Sequence, residues 1–355
     1  SRRAIVFHEQ SLSLFRELGY RGGEGGALGN FGLAYDGLGD YRRAIEFSEQ
    51  SLAIARELGD RGAEGAVLGN LGLAYLNLGD YRRAIEFSEQ SLSLLSELGG
   101  RGWEGTVLGN LVIAYYSLGD YRRAIEFSEQ HLVIARELGD RGGEGDALGS
   151  MGIAYYSLGD YCRAIEFSKQ SLEIVRELGD QGGEGADLGN LGIAYYSLGD
   201  YRRAIEFFEQ HLVIARELGD QGGEGRALGR MGIAYYSLGD YRRAVEFHEQ
   251  SLEIARELGD WGSEGRALES LGLAYLNLGD YRRAIEFYGQ HLEIARELGD
   301  RGSEGTALGG LGSAYYSLGD YRRAVEFHEQ SLEIARELGD QVGEGRAREC
   351  PENWG

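Results

Sequence analysis

The sequence predicts an all-α solenoid of antiparallel helix pairs, and three observations carry that prediction. Leu-Gly recurs every twenty residues from Leu18-Gly19 to Leu338-Gly339, almost always followed by Asp, with no insertion or deletion. The segments between these stops alternate between two types, so the true period is forty. Neither type shows the apolar–polar alternation of a strand. Self-similarity at such a period marks a stack of supersecondary units, and helical units make it an α-solenoid.

Each element follows from its own residues. Asp at the head of a segment, such as Asp200, offers a carboxylate to the free N–H groups of the first turn. Gly at its end takes the left-handed conformation that stops a helix, and the Leu before it is expected to be the last buried residue. The helices between stops then run about 18 residues, roughly 27 Å. Only Tyr20 and Gly100 replace the capping Asp. In chain order a tyrosine helix comes first, opening at Ser1 where its equivalents have Tyr, and a glycine helix follows from Arg21. The two types alternate from there. The glycine helix is exemplified by Gly182-Gly183-Glu184-Gly185 through Tyr195-Tyr196. The tyrosine helix is exemplified by Tyr201-Arg202-Arg203-Ala204-Ile205 through Leu218. This implies one repeat array over residues 1–350, with eight complete 40-residue units plus a partial terminal repeat, and a tail at 351–355. The first tyrosine helix leaves Ala4, Ile5, Leu12 and Leu14 without an upstream neighbour. The last glycine helix, from Gln341, reaches only Cys350 before Pro351. Such ends read as those of a fragment of a longer array, or as surfaces for head-to-tail self-association.

Glycine is abundant, at 59 residues, although each interior glycine costs a helix about 1 kcal/mol relative to alanine. In the glycine helix Gly182, Gly185, Gly189 and Gly192 are spaced three, four and three, along one face. Close approach of a neighbouring helix backbone is the expected compensation. The alternative is that the first turns fray.

A net charge of −22 disfavours nucleic acid and anionic membrane as partners. No 18-residue apolar run and no signal-peptide pattern occurs. Cys162 and Cys350 are several repeats apart and cannot bridge within an extended array, which points to a reducing, cytoplasmic setting. His131, His211 and His291 recur at 80-residue intervals, too far apart for one metal, and read as packing residues. Segments such as Gly23-Glu24-Gly25-Gly26 have neither the preceding strand nor the Gly-Lys-Ser/Thr of a phosphate loop. No catalytic residue, cofactor or metal is therefore expected.

The run Asn190-Leu191-Gly192, Ala194-Tyr195-Tyr196, Gly199-Asp200-Tyr201, Ala204-Ile205 resembles the tetratricopeptide repeat. There, small residues and aromatics interlock two antiparallel helices; the usual period is 34, and the customary proline is missing here. Leu-Gly-Asn at 28–30, 68–70, 108–110 and 188–190 makes the longer variant similar to the Pins and Leu-Gly-Asn-repeat spindle-orientation scaffolds. The resemblance implies a right-handed superhelix whose first helices line a concave groove, acting as a non-catalytic protein–protein interaction scaffold. The competing expectation is the sensor or structural array of a larger signalling ATPase or protease.

On that resemblance the groove positions are those of Arg226, Arg230, Ile233, Tyr236 and Ser237. Side-chain amides at Asn70, Asn110 and Asn190, with tyrosines at Tyr156, Tyr196 and Tyr236, suit an extended peptide. Tyr195 and its equivalents read as core. Arg226 and Arg230 lie one turn apart and Arg266 extends the stripe, with Glu269 expected to offset part of it. Asn190 with Arg226 and Arg230 resembles half of a clamp for a partner's terminal carboxylate. Gly149 and Ile153 do not supply the other half, so an acidic side chain in the ligand is expected instead.

Overall fold

The computed structural model describes residues 2–339, with side chains from Glu9 onward. They form seventeen α-helices, and no strand is found among the described residues. Tyrosine helices take the odd numbers, from α1 (Arg2–Glu17) to α17 (Tyr321–Leu338), and glycine helices the even ones, from α2 (Arg21–Asp36) to α16 (Arg301–Leu318). This is the all-α helical-repeat class. The chain divides into two compact units, Ser1–Gly183 and Glu184–Gly355, and in each a helix packs chiefly on its sequence neighbours. The terminal features read from Ala4, Ile5 and residues 341–350 fall outside the described side chains.

Helix ends form as their residues dictate. All seventeen Leu-Gly glycines have positive φ, from 64° to 89°. At the stop after α3 (Tyr41–Leu58), the Asp60 N–H reaches back to the Ala55 carbonyl at 2.9 Å. The Asp60 carboxylate then accepts from the Ala63 N–H at 2.9 Å, which starts the next helix. Tyr20 and Gly100 provide no side-chain cap. The Leu expectation is wrong: Leu58 is 49% exposed and Leu338 54%. The left-handed turn stops the helix by itself, so Leu needs no burial to define the end and stands at the rim of the bend.

Glycine packing is real and local. A Cβ placed on Gly32, Gly72 or Gly152 would fall 2.2–2.4 Å from the Ser48, Ser88 or Ser168 hydroxyl and 3.2–3.3 Å from the backbone oxygen of Ala44, Ala84 or Ala164. In the second unit the facing residues are Phe208, His248, Tyr288 and His328, and a Cβ on Gly192 would fall 2.3 Å from the Phe208 ring. Close approach therefore holds at Gly192, but against a side chain rather than backbone. The first turns of the glycine helices are helical. Gly189 is set against His211 and the Arg230 guanidinium, at 3.3 and 3.2 Å from such a Cβ.

Around this contact the core repeats. Leu188, Leu191, Ala194 and Ala204 are almost fully buried. Tyr195 is core, as read from sequence. It stacks on Phe207 at 5.3 Å, with the Arg203 guanidinium 4.9 Å from its ring centroid.

Gly192→Leu is expected to destabilise the chain by about 1–3 kcal/mol in urea unfolding, despite leucine's higher helix propensity. Phe208→Ser in the same chain should recover part of that loss, because the two side chains compete for one space. A neutral Gly192→Leu would show that the glycine serves no packing purpose.

Candidate functional site

Three consecutive helices of the second unit build a cavity of about 430 Å³: α12 (Gln221–Ser237), α13 (Tyr241–Leu258) and α14 (Trp261–Leu278). Arg226 and Arg230 stand on one face of α12 at i and i+4, with Ile233 beyond them, and Arg266 repeats the Arg226 position on α14. The floor comes from α13 through His248, Ser251 and Ile254. The Ser251 hydroxyl donates to the Gly225 carbonyl at 3.0 Å, anchoring α12 to the floor.

The cavity is locally basic in an acidic chain. Asp260 carries the one carboxylate among its lining residues. That carboxylate accepts from the Ser263 hydroxyl at 2.6 Å and the Ser263 N–H at 3.0 Å, and these bonds hold its pKa below the usual carboxylate range. Arg266 donates to the Ser263 hydroxyl at 3.0 Å. Arg226 lies 3.6 Å from Asp220, with both side chains about half exposed, a weakly held pair that a ligand can displace. Arg230 is partly buried, its guanidinium 6.0 Å from the Phe208 ring centroid. The basic field extends to buried His211, where burial first and then Arg230 and Arg226 push the imidazole pKa down. Glu269 does not line the cavity. It lies toward Tyr288, and burial raises its own pKa, so it offsets the stripe less than its place in sequence implies.

The other sequence-derived residues divide into two groups. Asn70 and Asn110 meet in the first unit, lining a crevice of about 30 Å³ with Leu73, Thr106 and Val107. That holds no more than about one water, and Asn110 is only 8% exposed. The tyrosine row is half-buried and its tips are engaged. The Tyr196 and Ser237 hydroxyls lie 3.0 Å apart, and Asn277 donates to the Tyr236 hydroxyl at 2.9 Å. Tyr156 sits near Tyr161 with the rings tilted by 45° and their centroids 5.4 Å apart, and Asn190 is partly buried. Neither Tyr236 nor Ser237 reaches the arginine cavity. Sequence reasoning missed His248 and Ser251, because only the first helix of each pair was assigned to the lining.

Among the described residues no group of three His, Cys, Asp or Glu side chains is placed to hold a metal ion, and no helix is long and apolar enough to cross a membrane.

A tetratricopeptide repeat family model matches residues 63–137, 143–217, 186–257 and 263–337, and a second such model matches 27–62. The chain belongs to the tetratricopeptide repeat family. No curated protein matches it in sequence. Among solved structures it is similar to a Signal Transduction ATPase with Numerous Domains protein with a tetratricopeptide repeat sensor, from Pyrococcus horikoshii. The identity is 17% and the TM-score 0.66, over 93% of this chain and 55% of that one. BtubC from P. vanneervenii is 20% identical with TM-score 0.55, over 62% of this chain and 92% of that one. A Rap protein complexed with Competence and Sporulation Factor is 16% identical with TM-score 0.53, over 92% and 96%. Likeness at these identities concerns the fold.

Acid stability offers a check on the cavity floor. Burial alone pushes the His248 pKa down from 6.5 to about 4. A folded value below the unfolded one means that the neutral ring's contribution is complete above pH 6.5 and is lost as pH falls toward 4. His248→Phe, which copies Phe208, is therefore expected to remove at most about 3 kcal/mol of the stability lost across that window, read as a flatter fall in melting temperature. Four further histidines shift in the same direction and retain their own acid sensitivity. An unchanged pH profile in the variant would count against a buried neutral imidazole.

Proposed function

We propose that this tetratricopeptide-repeat chain is a non-catalytic, cytoplasmic interaction scaffold that binds an extended peptide segment of a protein partner. An acidic side chain of that segment enters the cavity between α12 and α14. The observation that carries this reading is the convergence of Arg226, Arg230 and Arg266 on one cavity whose single lining carboxylate is already engaged as a helix cap. Guanidinium groups suit carboxylates in both charge and fork geometry, and half-exposed arginines can reorient toward a ligand. In this reading Asn190, Tyr196 and Tyr236 contact the peptide beside the cavity, and Asn70 and Tyr156 serve the same role in the first unit, where Asn110 is too enclosed to take part. Tyrosine ring faces are the contacting surface, since the Tyr196 and Tyr236 hydroxyls are already bonded. The solved Rap complex supports ligand binding by this kind of fold.

A second reading makes the array the sensor of a larger signalling ATPase. It rests on likeness to the P. horikoshii protein, of which this chain spans 55%. Both readings place the ligand on the array, so the same experiment bears on each.

Labelled extended peptides, acidic against neutral, are to be titrated by fluorescence anisotropy. Arg226→Glu with Arg230→Glu is expected to lower affinity for acidic peptides at least about tenfold, with helicity and melting temperature nearly unchanged. Equal affinity in parent and variant would remove the arginines from the site.

A further inference from the structure

The first-unit crevice and the arginine cavity are the same place in two different repeats. The crevice lies among α4 (Arg61–Leu78), α5 (Tyr81–Leu98) and α6 (Arg101–Ser117), and the cavity among the corresponding helices α12, α13 and α14. Gly225, Gly229, Ile233 and Ser251 stand where Gly65, Gly69, Leu73 and Ser91 do. Yet one space holds about 30 Å³ and the other about 430 Å³. Four large-to-small changes separate the two linings. Leu95, Trp103, Val107 and Asn110 of the crevice become Ala255, Ser263, Ala267 and Ser270 in the cavity. Three more changes bring the arginines, at the positions of Ala66, Asn70 and Thr106. The opening shows at the glycines: a Cβ on Gly69 would lie 3.3 Å from Val107 of α6. On Gly229 it would meet the Ser251 hydroxyl at 3.3 Å and no atom of α14 within 4 Å.

What the second unit leaves out is mainly apolar. In the first unit the chain fills this space itself, and Leu95 and Val107 belong to one buried cluster. Their replacements Ala255 and Ala267 are also buried but end at Cβ. The walls that remain include the exposed Ile233 and Leu258 and the partly buried Ile254. A carboxylate does not fill such a floor, because an ion among apolar groups loses its hydration without gaining a partner. The arginines lie nearer water, Arg226 and Arg266 exposed and Arg230 partly so. The ligand's charge therefore belongs at the arginines, and an apolar group belongs against the floor.

We propose that the cavity reads a two-part motif in the partner's segment: an acidic side chain at Arg226, Arg230 and Arg266, and beside it a leucine-sized aliphatic side chain on the apolar floor. This rests on the reading of the arginines as a site for an acidic peptide and supplies its second half. The aliphatic group takes the place that Leu95 and Val107 occupy in the first unit, and it covers Ile233 and Leu258. Its size follows from the groups that the chain uses to fill the equivalent space. Ala255, Ala267 and Ser270 then determine specificity by what they omit.

The test titrates the full chain with labelled peptides blocked at both ends, so that no terminal charge takes part. Their centres are Glu-Leu-Glu, Glu-Ala-Glu, Gln-Leu-Gln and Gln-Ala-Gln, and fluorescence anisotropy is followed. Glu-Leu-Glu is expected to bind saturably, at least about fivefold tighter than Glu-Ala-Glu. Two variants fill the floor with residues that the chain carries at the same positions elsewhere. Ala267→Val with Ser270→Asn copies Val107 and Asn110, and Ser251→His copies His211 and His291. In each the leucine advantage should fall below about twofold while Glu stays preferred to Gln, with the melting temperature confirming the fold. Equal binding of the leucine and alanine peptides to the parent chain would overturn this inference and leave the arginine reading standing. A leucine advantage undiminished in either folded variant would do the same. Failure of Glu-Leu-Glu to saturate, or equal binding of it and Gln-Leu-Gln, would overturn the arginine reading and the two-part motif with it.

Discussion

The close contact inside each helix pair is the constraint on which the rest of the structure depends. A glycine such as Gly32 or Gly72 lies so near the opposing helix that no side chain fits between them. The carbonyls of Ala44 and Ala84 lie at this contact, and both residues are 1% exposed. It also places Tyr75 flat against Phe87, with Arg83 above the ring. An interior glycine weakens an isolated helix, so these helices are stabilised by packing rather than by propensity. The serines of the first unit and the aromatic residues of the second fill the same spot with different volumes. Where glycine stands opposite, the reason differs: backbone proximity in one case, a ring in the other. Between α6 and α7 (Tyr121–Leu138), where Val112 takes that place, Ser128 stays buried opposite it.

Between pairs the joints are polar. Arginine–glutamate bridges span the bends, whereas inside a pair Ser51, Ser91 and Ser171 donate to carbonyls of their own glycine helix. Hydroxyl and amide groups link successive glycine helices, as between Tyr116 and Ser157 or between Asn77 and Asp36. Because these joints repeat, a residue that departs from the pattern is released from scaffold duty. Arg226, Arg230 and Arg266 occupy positions that are small or neutral in most other repeats, and they converge on one cavity.

Helix number, helix boundaries, caps and the glycine face were legible in the sequence, because each is set within one or two turns. Gly at a stop must turn left-handed whatever surrounds it, and Asp after it must cap, so a twenty-residue period reports the whole succession of helices. The arginine stripe was legible for the same reason, as i,i+4 spacing and repeat alignment place Arg226, Arg230 and Arg266. What only the tertiary structure decided is which group meets which across helices. The Leu of each Leu-Gly stop lies exposed, Asn110 is nearly enclosed, and the tyrosine hydroxyls are bound to the next repeat. His248 and Ser251 come from the second helix to floor a cavity assigned to the first. Period and propensity act along the chain, whereas burial and hydrogen-bond partnership depend on atoms some 26 to 41 residues away, at distances that packing alone sets.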